Sequence, residues 1–216
     1  CPFPMIAGKH KGAGMLLYPA QVAEVLAPIA EYPEIQFSLK MRLGWENASE
    51  CMVLVELLNT LRLSRIALHA RTGKQQYKGH PDLEAFQGFY ELCQHPLYYN
   101  GDIESLSDIR QILTRFPLLK GVFIGRGLLS SPLLAKEFKG NETFLPEQRM
   151  SIYFAFHEEL FSAYSQVLQG ETQLLVKMKT LWEYFLPETD RKLLKRIKKS
   201  TRLQQYTESV KAIFTS

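Results

Sequence analysis

The segment IQFSLKMRL, residues 35–43, carries the first strong fold signal in the chain. It is a short, mostly apolar run, and runs of this length are typical of buried β-strands. Apolar residues recur at helical spacing on both sides of it, which predicts one helix before the strand and another after it. The predicted inward-facing residues are Val22, Val25, Leu26 and Ile29 in the first helix and Val53, Leu54, Leu57, Leu58 and Leu61 in the second.

The alternation of strand and helix continues toward residue 127. Three further strands are predicted at RIALHA (65–70), PLYYNGDI (96–103) and GVFIGRG (121–127). One helix is predicted over 82–94, and another opens where Ser105 and Asp108 have the spacing of a capping box. Helices that connect successive strands are typical of a parallel sheet. The sequence therefore predicts an α/β fold for residues 1–140.

Strand signals stop after Asn141. Apolar residues at helical spacing fill 146–169 and recur in later stretches, a pattern typical of a small helical bundle. The polar segment KGNETFL, residues 139–145, reads as the connection. We therefore predict two domains, 1–140 and 141–216.

The composition is that of a globular protein. Of the 216 residues, 46% are hydrophobic and 22% are charged, which excludes the disordered and fibrous classes. No apolar run approaches the ~20 residues needed to cross a bilayer, so no membrane association is predicted. Cys1, Cys51 and Cys93 are widely spaced and form no CxxC pattern, which argues against a disulfide framework and a zinc site and favours a reducing, cytoplasmic compartment.

Positive charge is concentrated in residues 187–216. This segment holds eight Lys or Arg residues against three acidic ones, so it carries +5 while the whole chain carries +4. A polyanion such as nucleic acid would bind such a surface. A solvated basic helix face explains the same charges, so both interpretations stay open.

Polar residues and glycines stand at the C-terminal end of each predicted strand. They are Lys40, Arg42 and Gly44; His69, Arg71 and Thr72; Asn100, Gly101 and Asp102; and Gly125, Arg126 and Gly127. In a parallel (β/α) barrel these ends form the active-site face, and glycine amides after the last strands commonly bind phosphate. Each group alone is also typical of an ordinary turn. Their shared position at the strand ends predicts one pocket.

Five motifs of this chain occur together in one known family. They are CP (1–2) with KGAGMLL (11–17), KMRLGW (40–45), HARTGKQQYKG (69–79), YYNGDI (98–103) and GVFIGRGLLSSP (121–132). In order and spacing they resemble the tRNA-dihydrouridine synthases, flavoenzymes that reduce uridines in tRNA. The resemblance implies that the predicted strands are strands five to eight, the C-terminal half of a (β/α)8 TIM barrel, and that a helical tRNA-recruiting domain follows. It also implies an upstream segment of roughly 80–100 residues with the other four strands, so we expect that residue 1 is not the natural start.

The resemblance also implies a role for each candidate residue. Cys1-Pro2 matches the end of the family motif Asn-x-Gly-Cys-Pro, so Cys1 would donate a proton to uracil C5 while FMN, reduced by NADPH, supplies hydride to C6. The expected FMN-binding residues are Lys40, His69, Asn100, Gly101, Asp102, Gly125 and Arg126. The expected tRNA-binding residues are Arg71, Lys74, Tyr77, Lys195 and Lys199. We expect no metal site and infer no obligate protein partner.

Two alternatives stay open from the sequence. The chain would also suit another FMN barrel that acts on a small pyrimidine, although such a substrate needs no helical domain with a basic tail. A non-catalytic RNA-binding remnant is the third interpretation, since half of the barrel is missing from the sequence. Salt-sensitive tRNA binding without flavin would favour the remnant.

Overall fold

The computed structural model describes residues 1–215, which form two compact units. The first comprises Cys1–Ile103 and Ser107–Ile124, and the second comprises Glu104–Leu106 and the residues from Gly125 onward. The functional boundary after residue 140 stays a prediction.

The first unit is built on one four-stranded parallel sheet. Its strands are β1 (Phe37–Gly44), β2 (Leu63–Thr72), β3 (Leu97–Asn100) and β4 (Gly121–Phe123), and they lie side by side in that order. The helices between them are α3 (Glu50–Thr60), α4 (Leu83–Leu92) and α5 (Leu106–Arg115). Ahead of β1 lie α1 (Pro4–Ala7), α2 (Pro19–Leu26) and 3-10 turns at Gly12–Leu17 and Ala27–Glu31. The predicted α/β class with a parallel sheet is confirmed.

The two faces of this sheet have opposite chemistry. Successive side chains of a strand point to opposite faces, so β1 directs Lys40 and Arg42 to one face and Met41 and Leu43 to the other. The apolar face lies against the helices, where Phe86 of α4 is fully buried and makes edge-on contacts with the rings of Tyr99 and Phe116. The core of the unit is therefore on the helical side, and the polar side carries the candidate site.

Two details of the predicted elements are wrong. Val25 and Val53, assigned to inward faces, are 59% and 66% exposed. In α3 the buried residues are Cys51, Leu54, Val55 and Leu58, a complete i, i+3, i+4, i+7 stripe that leaves Val53 on the outer side. The fourth strand also ends at Phe123, because the chain turns at Gly125 into a new helix.

In the described part of the second unit, all regular elements are helical. They are α6 (Arg126–Ser130), α7 (Leu134–Gly140), α8 (Pro146–Val167), α9 (Glu171–Leu181), α10 (Arg191–Lys199) and α11 (Leu203–Phe214). Their apolar faces share a core that includes Met178, Trp182, Phe185, Ile197 and Tyr206. Among residues 1–215, no helix combines the length and apolarity needed to span a bilayer.

A chain of polar groups crosses the core of the second unit. Trp182 Nε1 donates to the Tyr206 hydroxyl at 2.9 Å, and that hydroxyl lies 2.7 Å from Nε2 of the buried His157. Because indole can only donate, the Tyr206 hydroxyl accepts from Trp182 and donates to His157. The proton of the neutral imidazole therefore sits on Nδ1, which lies 3.1 Å from Glu158. Burial also lowers the pKa of His157, which keeps the imidazole neutral.

Candidate functional site

The candidate site is a row of polar side chains across the sheet. Arg42 of β1 is paired in register with His69 of β2, His69 with Asn100 of β3, and Asn100 with Phe123 of β4. Residues in register on adjacent parallel strands point to the same face, so the three polar side chains lie side by side. The Asn100 side-chain amide donates to the Phe123 carbonyl at 2.8 Å, which fixes its orientation. Lys40 lies on the same face, two residues before Arg42.

Arg42 holds the loop that follows β2. It is buried, and its Nη1 donates to the carbonyls of Thr72 and Gln76 at 2.7 and 2.8 Å. Its guanidinium carbon lies 5.6 Å from the centroid of the Tyr77 ring, within cation–π range. The sequence predicts no role for Arg42 beyond its place at a strand end. Its spacing of two from Lys40 indicates that both side chains point to the same face of the sheet.

The site is electropositive. Burial lowers the pKa of Lys40, and repulsion from Arg42 lowers it further. Burial also lowers the pKa of His69 to about 3, helped by the charges of Arg42, Lys40 and Arg71 and opposed by Asp102. His69 is therefore a neutral imidazole at physiological pH. Lys40 and Arg42 together place two positive charges on this face, which favours binding of an anion.

Arg71 is fully buried beside His69. Its two terminal nitrogens both bind the carboxylate of Asp102, with Nη1 2.7 Å from Oδ1, and Nη2 also donates to the Gly79 carbonyl at 2.6 Å. Within residues 1–215 its Nε is buried without a hydrogen-bond partner. The prediction that Arg71 contacts the target nucleotide stays a prediction. In this structure its terminal nitrogens bind protein groups.

The loop that carries Lys74 and Tyr77 is anchored at both ends. The amides of Gly73 and Lys74 donate to the carbonyls of Gly44 and Trp45, and the amide of Asp82 donates to Ala70. The Lys74 ammonium forms a surface ion pair with Glu46 at 2.5 Å. The Tyr77 side chain is 58% exposed, and its ring lies 6.3 Å from that of His69.

Cys1 is held against the 3-10 turn at Gly12–Leu17, and that turn packs against β1, the strand that carries Lys40 and Arg42. The Cys1 carbonyl accepts the Ala13 amide at 3.1 Å, and a Cβ on Gly12 would lie 2.6 Å from that carbonyl. Cys1 is exposed, whereas burial raises the pKa of the Cys51 thiol to about 12.

The remaining predicted site residues belong to the second unit. Gly125 precedes α6, and a Cβ built on it would meet no atom within 4 Å. Arg126 is the first residue of α6. Lys195 and Lys199 lie on α10 with Lys192 and Arg196, and all four line a groove of about 420 Å³ next to Gln205 and Glu208 of α11. Among the described residues, no group of three or more His, Cys, Asp or Glu side chains could hold a metal ion.

The neutral state of His69 leads to a pH prediction. An unperturbed imidazole has a pKa of 6.5, whereas in the folded protein the pKa of His69 is lowered to about 3. The contribution of His69 to stability is therefore complete above pH ~6.5 and is lost as the pH falls toward 3, because only the unfolded state binds the proton in that window. We expect the NMR signals of this imidazole to stay constant between pH 7 and 4.5. The His69→Asn variant identifies which NMR signals belong to His69. A titration midpoint near pH 6 for these signals would contradict the burial of the imidazole.

Comparisons with known proteins show which family this chain resembles. The family model described as Dihydrouridine synthase (Dus) matches residues 1–215. A probable tRNA-dihydrouridine synthase of Aquifex aeolicus is 34% identical over 143 residues, which are 64% of this chain and 44% of that protein. The tRNA-dihydrouridine synthase B of Vibrio vulnificus is 26% identical over 151 residues, 68% of this chain and 47% of the relative. The tRNA-dihydrouridine(16) synthase of Haemophilus ducreyi is 30% identical over 144 residues, 65% and 44% of the two chains.

The chain spans about half the length of the curated relatives it matches. The family match, by contrast, runs through both units of the structure. On these grounds the chain belongs to the dihydrouridine synthase family.

Proposed function

We propose that this protein reduces specific uridines of tRNA to 5,6-dihydrouridine, with FMN as cofactor and NADPH as reductant, in the cytoplasm. Family membership supports tRNA uridine reduction, and the observation that carries the proposal is the row of polar side chains on one face of the sheet, Arg42, His69 and Asn100, with Lys40 on the same face. We further propose that β1–β4 form the C-terminal half of a TIM barrel and that the helices after residue 140 recruit tRNA.

The donors on the polar face fit FMN. The cofactor is anionic at its phosphate, and its ring becomes anionic on two-electron reduction. Lys40 and Arg42 are cationic, and burial lowers the pKa of both side chains. A bound anion would offset the desolvation cost of these two charges. We propose that Lys40, His69 and Asn100 contact the flavin, and that Gly101, Asp102, Gly125 and Arg126 belong to the segments that bind its ribityl phosphate.

The chemistry divides between Cys1 and its neighbours. When bound, FMN supplies the hydride that C6 of uracil receives. Cys1 holds the proton that C5 receives, since a thiol is protonated at neutral pH yet able to release its proton. His69, neutral because of its low pKa, orients ligands by hydrogen bonding and has no proton of its own to give as an acid. Lys40 offsets negative charge that develops at the ring.

We propose that tRNA contacts both units. Tyr77 is exposed next to His69 and is suited to contact a uridine that has left its stack. Lys74 lies in the same loop. Lys195 and Lys199 belong to the cationic groove of the helical unit, where the phosphate backbone would bind.

If the cationic groove binds the phosphate backbone, tRNA affinity should depend on salt concentration through its lysines. Replacing Lys195 and Lys199 together with glutamine is expected to weaken tRNA binding and to reduce the slope of log affinity against log salt concentration by about 1 per lysine. Fluorescence anisotropy with labelled tRNA at several salt concentrations measures this slope. Lys211→Gln is the matched control, because Lys211 is an exposed lysine of α11 that does not line the groove. An unchanged slope in the double variant would remove these lysines from the interface.

The visible spectrum of the purified protein tests the proposal directly. We expect flavin bands, and we expect heat to release FMN into the supernatant. NADPH should bleach the bands, and tRNA should restore them while dihydrouridine forms. A flavin oxidised by a free pyrimidine but not by tRNA would favour the small-molecule barrel. Salt-sensitive tRNA binding without flavin would favour the RNA-binding remnant.

A further inference from the structure

One buried side chain joins two separate connections of the first unit. Arg71 stands near the end of β2, and its guanidinium reaches the loop after β2 at the Gly79 carbonyl and the turn after β3 at the Asp102 carboxylate. Nη2 takes part in both contacts. The loop and the turn are more than twenty residues apart in sequence, so Arg71 links them directly.

Both connections belong to the proposed reaction. The loop carries Tyr77, two residues before Gly79, and the turn follows Asn100, whose side-chain amide is fixed on Phe123. The proposed function places the target uridine at the loop and the flavin at the turn. A group that holds both connections therefore sets the distance between the two reactants.

The turn needs such support. Gly101 has φ +147°, and a Cβ there would lie 2.9 Å from the Tyr99 hydroxyl. Asp102 has φ +40°, a left-handed conformation that is unfavourable for residues other than glycine. A carboxylate is also a poor direct ligand for the phosphate of FMN, because both are negative. The bidentate pair with Arg71 accounts for both features, since it neutralises Asp102 and holds its backbone in place.

We propose that Arg71 is a positioning residue that couples the Tyr77 loop to the Asn100–Asp102 turn. The proposal rests on the proposed function for its consequence in catalysis. The coupling itself is a property of the protein without any ligand, so it can be tested separately.

Hydrogen exchange at the loop amides tests the coupling. The amides of Lys78 and Asp82 donate to Gln75 and Ala70, so both are expected to be protected. Arg71→Met should raise their exchange rates about tenfold or more, because it removes one partner of a buried charge pair. Asp102→Asn should raise them about fivefold although the change lies in the other connection, because a neutral amide cannot hold both terminal nitrogens of Arg71. Arg65→Met is the control. Arg65 is exposed on the same face of β2, and its guanidinium lies over the Phe123 ring.

The outcomes separate the coupling from the function. Unchanged loop exchange in Asp102→Asn would overturn the coupling, because the two connections would then be held independently. If the coupling holds, FMN should bind Arg71→Met about tenfold more weakly, with an altered visible circular dichroism of the flavin, and should bind Arg65→Met as it binds the wild type. Wild-type affinity and an unaltered flavin signal in Arg71→Met would overturn the positioning role. Failure of the wild-type protein to bind FMN would instead contradict the proposed function, while the exchange rates would still decide the coupling.

Discussion

Replacing Cys1 with alanine is expected to slow dihydrouridine formation by roughly 10²–10⁴-fold, the usual contribution of a general acid. The Cys1 thiol is exposed, and the pKa of His69 is lowered to about 3, so that imidazole carries no acidic proton that would replace the thiol at neutral pH. A single-turnover assay with prereduced enzyme and tRNA measures the step without the preceding reduction by NADPH.

The control for this experiment is Cys93→Ala, which removes a partly buried thiol whose pKa is raised by burial. Cys1→Ala should keep FMN and tRNA affinity within about twofold, because it removes a single sulfur atom from an exposed side chain and no charge. A rate close to wild type would show that another group or water delivers the proton. Loss of flavin binding would show that Cys1 acts on the cofactor site.

Replacing Phe86 with alanine is expected to destabilise the first unit by about 3–5 kcal/mol, the usual cost of removing a buried aromatic side chain. Phe86 is fully buried, and its ring centroid lies 5.0 Å from those of both Tyr99 and Phe116. The ring therefore joins α4 to β3 and to the end of α5. Within residues 1–215, no other side chain of α4 makes edge-on contacts with two aromatic rings.

Urea unfolding, monitored by hydrogen exchange at the β2 amides, measures the loss in the free energy of unfolding for the first unit alone. Leu92→Ala is the matched control, because Leu92 lies on the same helix and is 52% exposed. The control should change the free energy of unfolding by less than ~1 kcal/mol, since most of its side chain already contacts water. Equal losses in the two variants would mean that the apolar side of the sheet is not the core of the unit.

The order of strands and helices was predictable because each strand is a separate apolar run. IQFSLKMRL and RIALHA are bounded by turn residues, and local pattern suffices to identify them. The face of a helix is harder to predict. In α3 two overlapping apolar stripes share Leu54 and Leu58. Only packing against the rest of the unit selects the stripe that adds Cys51 and Val55 over the one that adds Val53.

The residues of the site were predictable as a set, but their contacts were not. Lys40, His69 and Asn100 follow from their positions in the strands. The roles of Arg42 and Arg71 depend on bonds to atoms far along the chain, such as the Gln76 carbonyl and the Asp102 carboxylate. No local sequence rule connects an arginine with a carbonyl in one loop and a carboxylate in another, so these contacts required the structure.

The electropositive face of the sheet also bears on how this protein would change if its activity were no longer selected. Burial lowers the pKa of both Lys40 and Arg42, so each charge carries a desolvation cost, which Arg42 offsets in part through its hydrogen bonds to the Thr72 and Gln76 carbonyls. A neutral substitution of Lys40 would therefore tend to stabilise the chain while weakening anion binding, whereas loss of Arg42 would also release the loop that follows β2. Stability and anion binding impose opposite demands at Lys40. A lineage no longer selected for anion binding would be expected to lose this cation before it lost its core.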